Sequence, residues 1–217
     1  MKDPRPAATD SPLNRKVRAF LGIGPPPEKW LDALEEWLFP LQRRLFRSTI
    51  SWTKRESLHL TLRFFGSISQ GDVLEIQSEM AETASQVPAF QLESRELVFF
   101  PNLWEPKIIA AWLAEESGGL DQIVRRSRGA LGHIGQKPET RAFVPHVTLG
   151  RVKSLEPRDQ KIFADVWSEG AGPKLGVWPV NAVTLFRSDL QPGGSIYTPI
   201  GVFPLAGKSP AEEGFDA

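Results

Sequence analysis

The chain has 217 residues, no cysteine, and 26 basic side chains against 26 acidic ones. That length suits one domain, or two small lobes sharing a core. The missing cysteines exclude a disulfide scaffold and any Cys-ligated zinc or iron–sulfur centre, and the balanced charge argues against a protein that coats duplex nucleic acid by counterion release.

A single phosphate or a strand end remains within reach of a neutral chain. Cysteine-free composition fits a reducing cytosol, so a cytoplasmic location is expected. No stretch approaches 18 apolar residues, so no membrane partner is expected either. Residues 1–14 (MKDPRPAATDSPLN) lack an apolar signal region and are too polar and proline-rich to bury anything. They read as a disordered head, residues 207–217 as a disordered acidic tail, and 15–206 as one catalytic-sized domain.

Between the tails, strand and helix signals alternate. VRAFLGI (17–23) is a short apolar strand that stops at Gly24 and three prolines. Those prolines suit a helix first turn, and Trp30, Leu31, Leu34, Trp37, Leu38 and Leu41 recur at helical spacing. Pro40 should kink or interrupt that helix. STISWT (48–53) and LHLTLRFFG (58–66) read as strands, the second ending at Gly66. Residues 70–87 form an amphipathic helix with Val73, Ile76, Met80 and Ala84 inward. FQLESRELVFF (90–100) and KIIAAWLA (107–114) are strands around a PNLWEP turn, and 117–131 suits a helix. FVPHVTLGRV (143–152) is a strand in which Pro145 suggests an edge or an irregular start. After a helix at 156–168, segments 177–190 and 195–205 form a final hairpin around Gln191-Pro192-Gly193-Gly194. Helices interspersed among strands place the chain in the α+β class.

The chain has three histidines, and two of them open the same tetrapeptide. His59-Leu60-Thr61-Leu62 lies in the first half, and His146-Val147-Thr148-Leu149 follows 87 positions later. On a strand, side chains alternate faces. His59, Thr61 and Arg63 therefore share one face, and Leu58, Leu60, Leu62 and Phe64 the other. His146 and Thr148 repeat the pattern over Val147 and Leu149. If the two strands lie side by side about a pseudo-twofold axis, two imidazoles and two hydroxyls converge on one cleft.

Imidazole titrates near neutrality, so one ring can accept a proton while the other donates one. Threonine hydroxyls and an arginine suit phosphoryl oxygens. Two opposed imidazoles around a phosphodiester supply in-line attack and leaving-group protonation. Arg63 is in phase with His59. Arg151 is out of phase with Thr148 and reaches the cleft only through a bulge at Gly150. His133, between two glycines, reads as a loop residue. The arginine clusters at 43–47 and 125–128 read as solvated helix surfaces, and the tryptophans mostly as packing residues. Neither a H-E-x-x-H pair, nor a G-x-S-x-G elbow, nor a glycine-rich phosphate loop occurs, and no metal or cofactor is expected.

Paired H-x-T-L motifs, with VRAFLGI, PHVTLGR and VTLFRSDL…YTPIGVFPL around them, resemble the 2H phosphoesterases. The likeness is closest to their RNA 2′,3′-cyclic phosphodiesterase branch, also called the 2′-5′ RNA ligase (LigT/ThpR-like) group, and spans roughly residues 17–205. The resemblance implies a bilobal α+β fold with two antiparallel sheets, flanked by helices, around a central cleft. It also implies metal-free hydrolysis of a 2′,3′-cyclic phosphate to a 2′-phosphate. Carried over residue by residue, His59 is the proton donor, His146 the proton acceptor, and Thr61 and Thr148 the phosphate holders. Substrates would be RNA ends or cyclic nucleotides, with ligation as the reverse chemistry, and the protein would act as a monomer without an obligate partner. A phosphodiesterase of small cyclic nucleotides and a non-catalytic binder of RNA ends are the alternatives, and turnover of a 2′,3′-cyclic nucleotide separates enzyme from binder.

Overall fold

The computed structural model describes residues 15–137, 142–168, 172–192 and 194–207. The expected head, and the expected tail beyond Gly207, lie outside the described residues. In chain order the elements are β1 (Lys16–Ile23), α1 (Glu28–Arg44), β2 (Thr49–Trp52), β3 (Leu60–Ser69), α2 (Gln70–Ser85), β4 (Phe90–Phe100), β5 (Ile108–Ala114), α3 (Gly119–Leu131), β6 (His146–Ser154), α4 (Pro157–Ser168), β7 (Val177–Val180), β8 (Ala182–Gln191) and β9 (Gly194–Pro204).

Local chemistry accounts for most boundaries. Ser69 and Asp72 cap α2 reciprocally: Asp72 N–H donates to Ser69 Oγ at 3.1 Å, and Ser69 N–H donates to the Asp72 carboxylate at 2.7 Å. α1 runs through Pro40 to Arg44, so the proline does not interrupt the helix. Pro40 and Glu36 are both exposed, so water can take the carbonyl that the proline leaves unpaired. Gly66 does not end β3 either. It adopts φ 76°, a conformation open to glycine, and turns a bulge after which the strand continues to Ser69.

The strands form one antiparallel sheet in the order β7-β4-β5-β6-β3-β1-β8-β9, with β2 pairing beside β6. The expected two sheets are thus continuous. Their seam is narrow, however: β3 and β6 are paired only at Leu60 and Val147. What holds the seam is burial. Leu60, Leu62, Val147 and Leu149 are at most 5% exposed, and each such side chain gains roughly 1.5–3 kcal/mol on leaving water.

The two halves are also interlocked. β2 comes from the first half but pairs with β6 of the second. The segment expected as one strand at 177–190 is two: β7 pairs with β4 at one end of the sheet, and after Asn181 β8 pairs with β1 in the other wing. Pro145 precedes β6 rather than marking an edge. β6 lies inside the sheet, and Pro145 C=O accepts Leu113 N–H at 3.0 Å.

The helices cover the face opposite the threonines. Trp30 of α1 meets Trp178 of β7 at 5.6 Å between rings, and Phe163 of α4 meets Phe99 of β4 at 5.2 Å. α2 packs on α3 and on β3, β8 and β9. None of the described helices is long and apolar enough to cross a membrane.

Candidate active site

Both histidines stand at the start of a seam strand. His59 follows a single 3₁₀ turn (Arg55–Ser57) and directly precedes β3, while His146 is the first residue of β6. Each ring is oriented by the carbonyl two residues before it. His59 Nδ1 lies 2.7 Å from Ser57 O, and His146 Nδ1 lies 2.7 Å from Val144 O. A carbonyl can only accept, so Nδ1 carries the proton in both rings. Nε2 of the neutral imidazole is then the working nitrogen. The two carbonyls are related by the same 87-residue offset as the histidines. His59 Nε2 lies 3.0 Å from Thr61 Oγ1.

The open cleft beside His59 has a volume of about 970 Å³ and is lined by Thr61 and Thr148 together. Its remaining walls come from the segment 51–57 at the end of β2, from Phe20 and Phe64, and from the β8–β9 hairpin with Ser188 and Tyr197. Five charged residues line it: Arg18, Lys54, Arg151 and Lys153 are cations, and Glu56 is the lone carboxylate. A chain with no net charge therefore presents a cleft of positive sign.

Bulges decide which neighbours share the site. In β3 the register against β1 slips between Leu21 and Gly22, so that Leu62 is the extra residue. The strand phase changes there. Phe64 turns to the cleft, and Arg63 turns away, 6% exposed, donating to Ile134 O at 2.9 Å with its guanidinium 4.8 Å from the Phe65 ring. The expectation that Arg63 shares the His59 face, and that Phe64 joins the core, is corrected by that one-residue bulge. In β6 the register against β5 slips between Ile109 and Ala110, making Leu149 the extra residue. This restores Arg151 to the Thr148 face, the placement for which a bulge was required. Leu62 and Leu149 are again 87 positions apart, so the two halves share the bulge as well as the motif. Gly150 fits here because a Cβ would come within 3.0 Å of the Trp52 ring and 3.1 Å of Ile50 on the adjoining β2.

The electrostatics favour neutral imidazoles. Burial pushes His59 below its ordinary value of 6.5, and the nearby His146 and Arg151 add to this against the Ser57 hydrogen bond. Burial likewise lowers His146, with Arg151 adding to it against the Val144 hydrogen bond. Arg151 thus acts on both rings. An anion bound between them would reverse the balance and let one ring hold a second proton.

Residue patterns did not single out the aromatic cage of His59. Its ring lies 4.7 Å from Phe20 and 4.8 Å from Tyr197, which meets it edge-on. Tyr197 is the chain's one tyrosine and comes from the hairpin, 138 positions from His59. His146 rests instead against Phe100 at 4.9 Å. His133 is elsewhere, paired with Glu75 at 2.7 Å on an exposed surface. Among the described residues no three His, Cys, Asp or Glu side chains gather as a metal site.

The family model for LigT-like phosphoesterases matches this chain twice, over residues 23–110 and 112–197. The chain belongs to that family. The double match follows the duplicated halves just described. Among curated LigT-like relatives, the RNA 2′,3′-cyclic phosphodiesterase of Methanothermobacter thermautotrophicus is 33% identical over 195 residues, covering 88% of this chain and 100% of the relative. The Thermotoga maritima protein of the same name is 29% identical, covering 83% and 91%. A solved Thermus thermophilus structure, TT0787, superposes with a TM-score of 0.70 at 26% identity, covering 88% of this chain and 99% of that one. Escherichia coli LigT in its apo form shares the fold, with a TM-score of 0.68 at 21% identity.

Proposed function

We propose that this protein hydrolyses the 2′,3′-cyclic phosphodiester at RNA ends to a 2′-phosphomonoester. The observation that carries the reading is the twinned site. Two H-x-T units each have Nδ1 tied to a backbone carbonyl, and His59, Thr61 and Thr148 of these units line a cationic cleft. The names of the curated relatives supply the substrate.

In the reaction His146 Nε2 takes a proton from water as the water oxygen bonds to phosphorus. The P–O3′ bond breaks on the opposite side, and the leaving oxygen receives the proton carried by His59 Nε2. The product has a 2′-phosphate and a 3′-hydroxyl, and the two rings exchange protonation states over the cycle. General acid–base transfer of this kind contributes about 10²–10⁴ in rate. Thr61 and Thr148 donate to the non-bridging oxygens, and Arg151 offsets their charge. The substrate anion raises both imidazole pKa values, which supplies the protonated His59 that burial disfavours. A 5′-hydroxyl in place of water would run the same step toward a 2′-5′ linkage.

Phosphorus NMR of the product from 2′,3′-cyclic AMP and from a cyclic-ended oligoribonucleotide tests the reading. A dominant 3′-phosphate reverses the acid and base roles. Turnover of the mononucleotide alone favours a small-nucleotide phosphodiesterase, and tight binding without turnover favours an RNA-end binder.

A further inference from the structure

We infer that Lys153 is a specificity-determining residue: it holds the phosphate next upstream of the cyclic end, so that the RNA strand leaves the cleft along β6. The inference rests on the hydrolase reading and adds the path of the strand. The bulge at Leu149 sets its geometry. Beyond that bulge Arg151 and Lys153 stand two residues apart on the face that carries Thr148, and both are exposed and line the cleft. Two residues of strand span roughly 7 Å, so Lys153 stands one step further along β6 than Arg151.

Space and charge agree with that path. At about 970 Å³ the cleft is at the upper end of the roughly 300–1,000 Å³ typical of sites that enclose a drug-sized ligand. A terminal nucleotide leaves room for more chain. The alternative exit, toward β1, offers Arg18, but that guanidinium lies over the Phe64 ring at 4.5 Å. Lys153 has no ion-pair partner among the described residues. A cationic groove that follows the backbone is a usual way to track a single strand without reading its sequence.

The test compares kcat/KM for 2′,3′-cyclic AMP and for a cyclic-ended trinucleotide, with the wild type, Lys153→Ala and Arg18→Ala, across a salt series. Lys153→Ala should lower the trinucleotide value about fivefold near 0.1 M salt and flatten its logarithmic salt slope by about 0.7, the share of one phosphate on a single strand. The cyclic AMP value should stay within twofold. An equal fall on both substrates, no change on either, or a selective loss only in Arg18→Ala overturns the inference while leaving the hydrolase reading intact. If the wild type turns over neither substrate, the hydrolase reading fails. Anisotropy with a trinucleotide ending in a 2′-phosphate then still decides Lys153: about fivefold weaker binding of Lys153→Ala supports it, and unchanged binding overturns it.

Discussion

Replacing Tyr197 by alanine opens the cage around His59 from its hairpin side. The ring meets Phe20 at 5.0 Å and His59 at 4.8 Å, and each aromatic pair is worth about 0.5–1.5 kcal/mol beyond area burial. The fold should lose about 2 kcal/mol, a fall in Tm of roughly 4–8 °C for a chain of this size. The larger consequence is for the proton. Burial is the leading cause of the lowered His59 pKa, so admitting water should raise it toward 6.5. A depressed histidine binds fewer protons folded than unfolded. Its stabilisation is therefore complete above about pH 6.5 and is lost as pH falls through the folded pKa. Tyr197→Ala should make stability fall less steeply on acidification. It should also carry the alkaline limb of kcat/KM upward, because the donor then keeps its proton to higher pH. Ring-carbon NMR titration, with His133 replaced by glutamine and the two remaining signals assigned by His146→Gln, reads His59. Tyr197→Phe, which keeps the ring, should behave like the wild type. A His59 titration that stays in place or moves down in Tyr197→Ala would refute burial as the cause.

Three further outcomes are expected. His59→Ala and His146→Ala should each lower turnover by roughly 10² or more, since each removes one proton-transfer partner, while His133→Ala, on its exposed pair with Glu75, should change little; near-normal turnover by either motif variant contradicts the two-histidine mechanism. Arg63→Met should leave KM unchanged and stability within about 1 kcal/mol. It forfeits the bond to Ile134 O but also removes two buried N–H groups, Nε and Nη1, that have no partner, so a raised KM would return Arg63 to the substrate. Turnover should survive exhaustive chelation, because hydroxyls and cations line the cleft; loss with EDTA, restored by one divalent ion, would show a metal requirement.

The alternation of signals along the chain was enough for the α+β class and for most element positions. The repeated H-x-T-L was enough to pick out the candidate residues of the site, because period-2 alternation ties His59 to Thr61 and His146 to Thr148 whatever surrounds them. Phase does not survive a bulge. Arg63 and Phe64 exchanged faces, and Arg151 joined the cleft, through single extra residues at Leu62 and Leu149. A bulge is fixed by pairing with another strand, so the sequence of one strand does not announce it. The continuity of the sheet, the split of 177–190 between opposite wings and the approach of Tyr197 to His59 are likewise matters of pairing between distant segments. Charge followed the same division. Composition shows 26 cations against 26 anions, and only folding gathers four cations and a single carboxylate around the threonines. Local periodicity determines which side chains share a strand face, whereas the sign and shape of a cleft depend on which strands meet there.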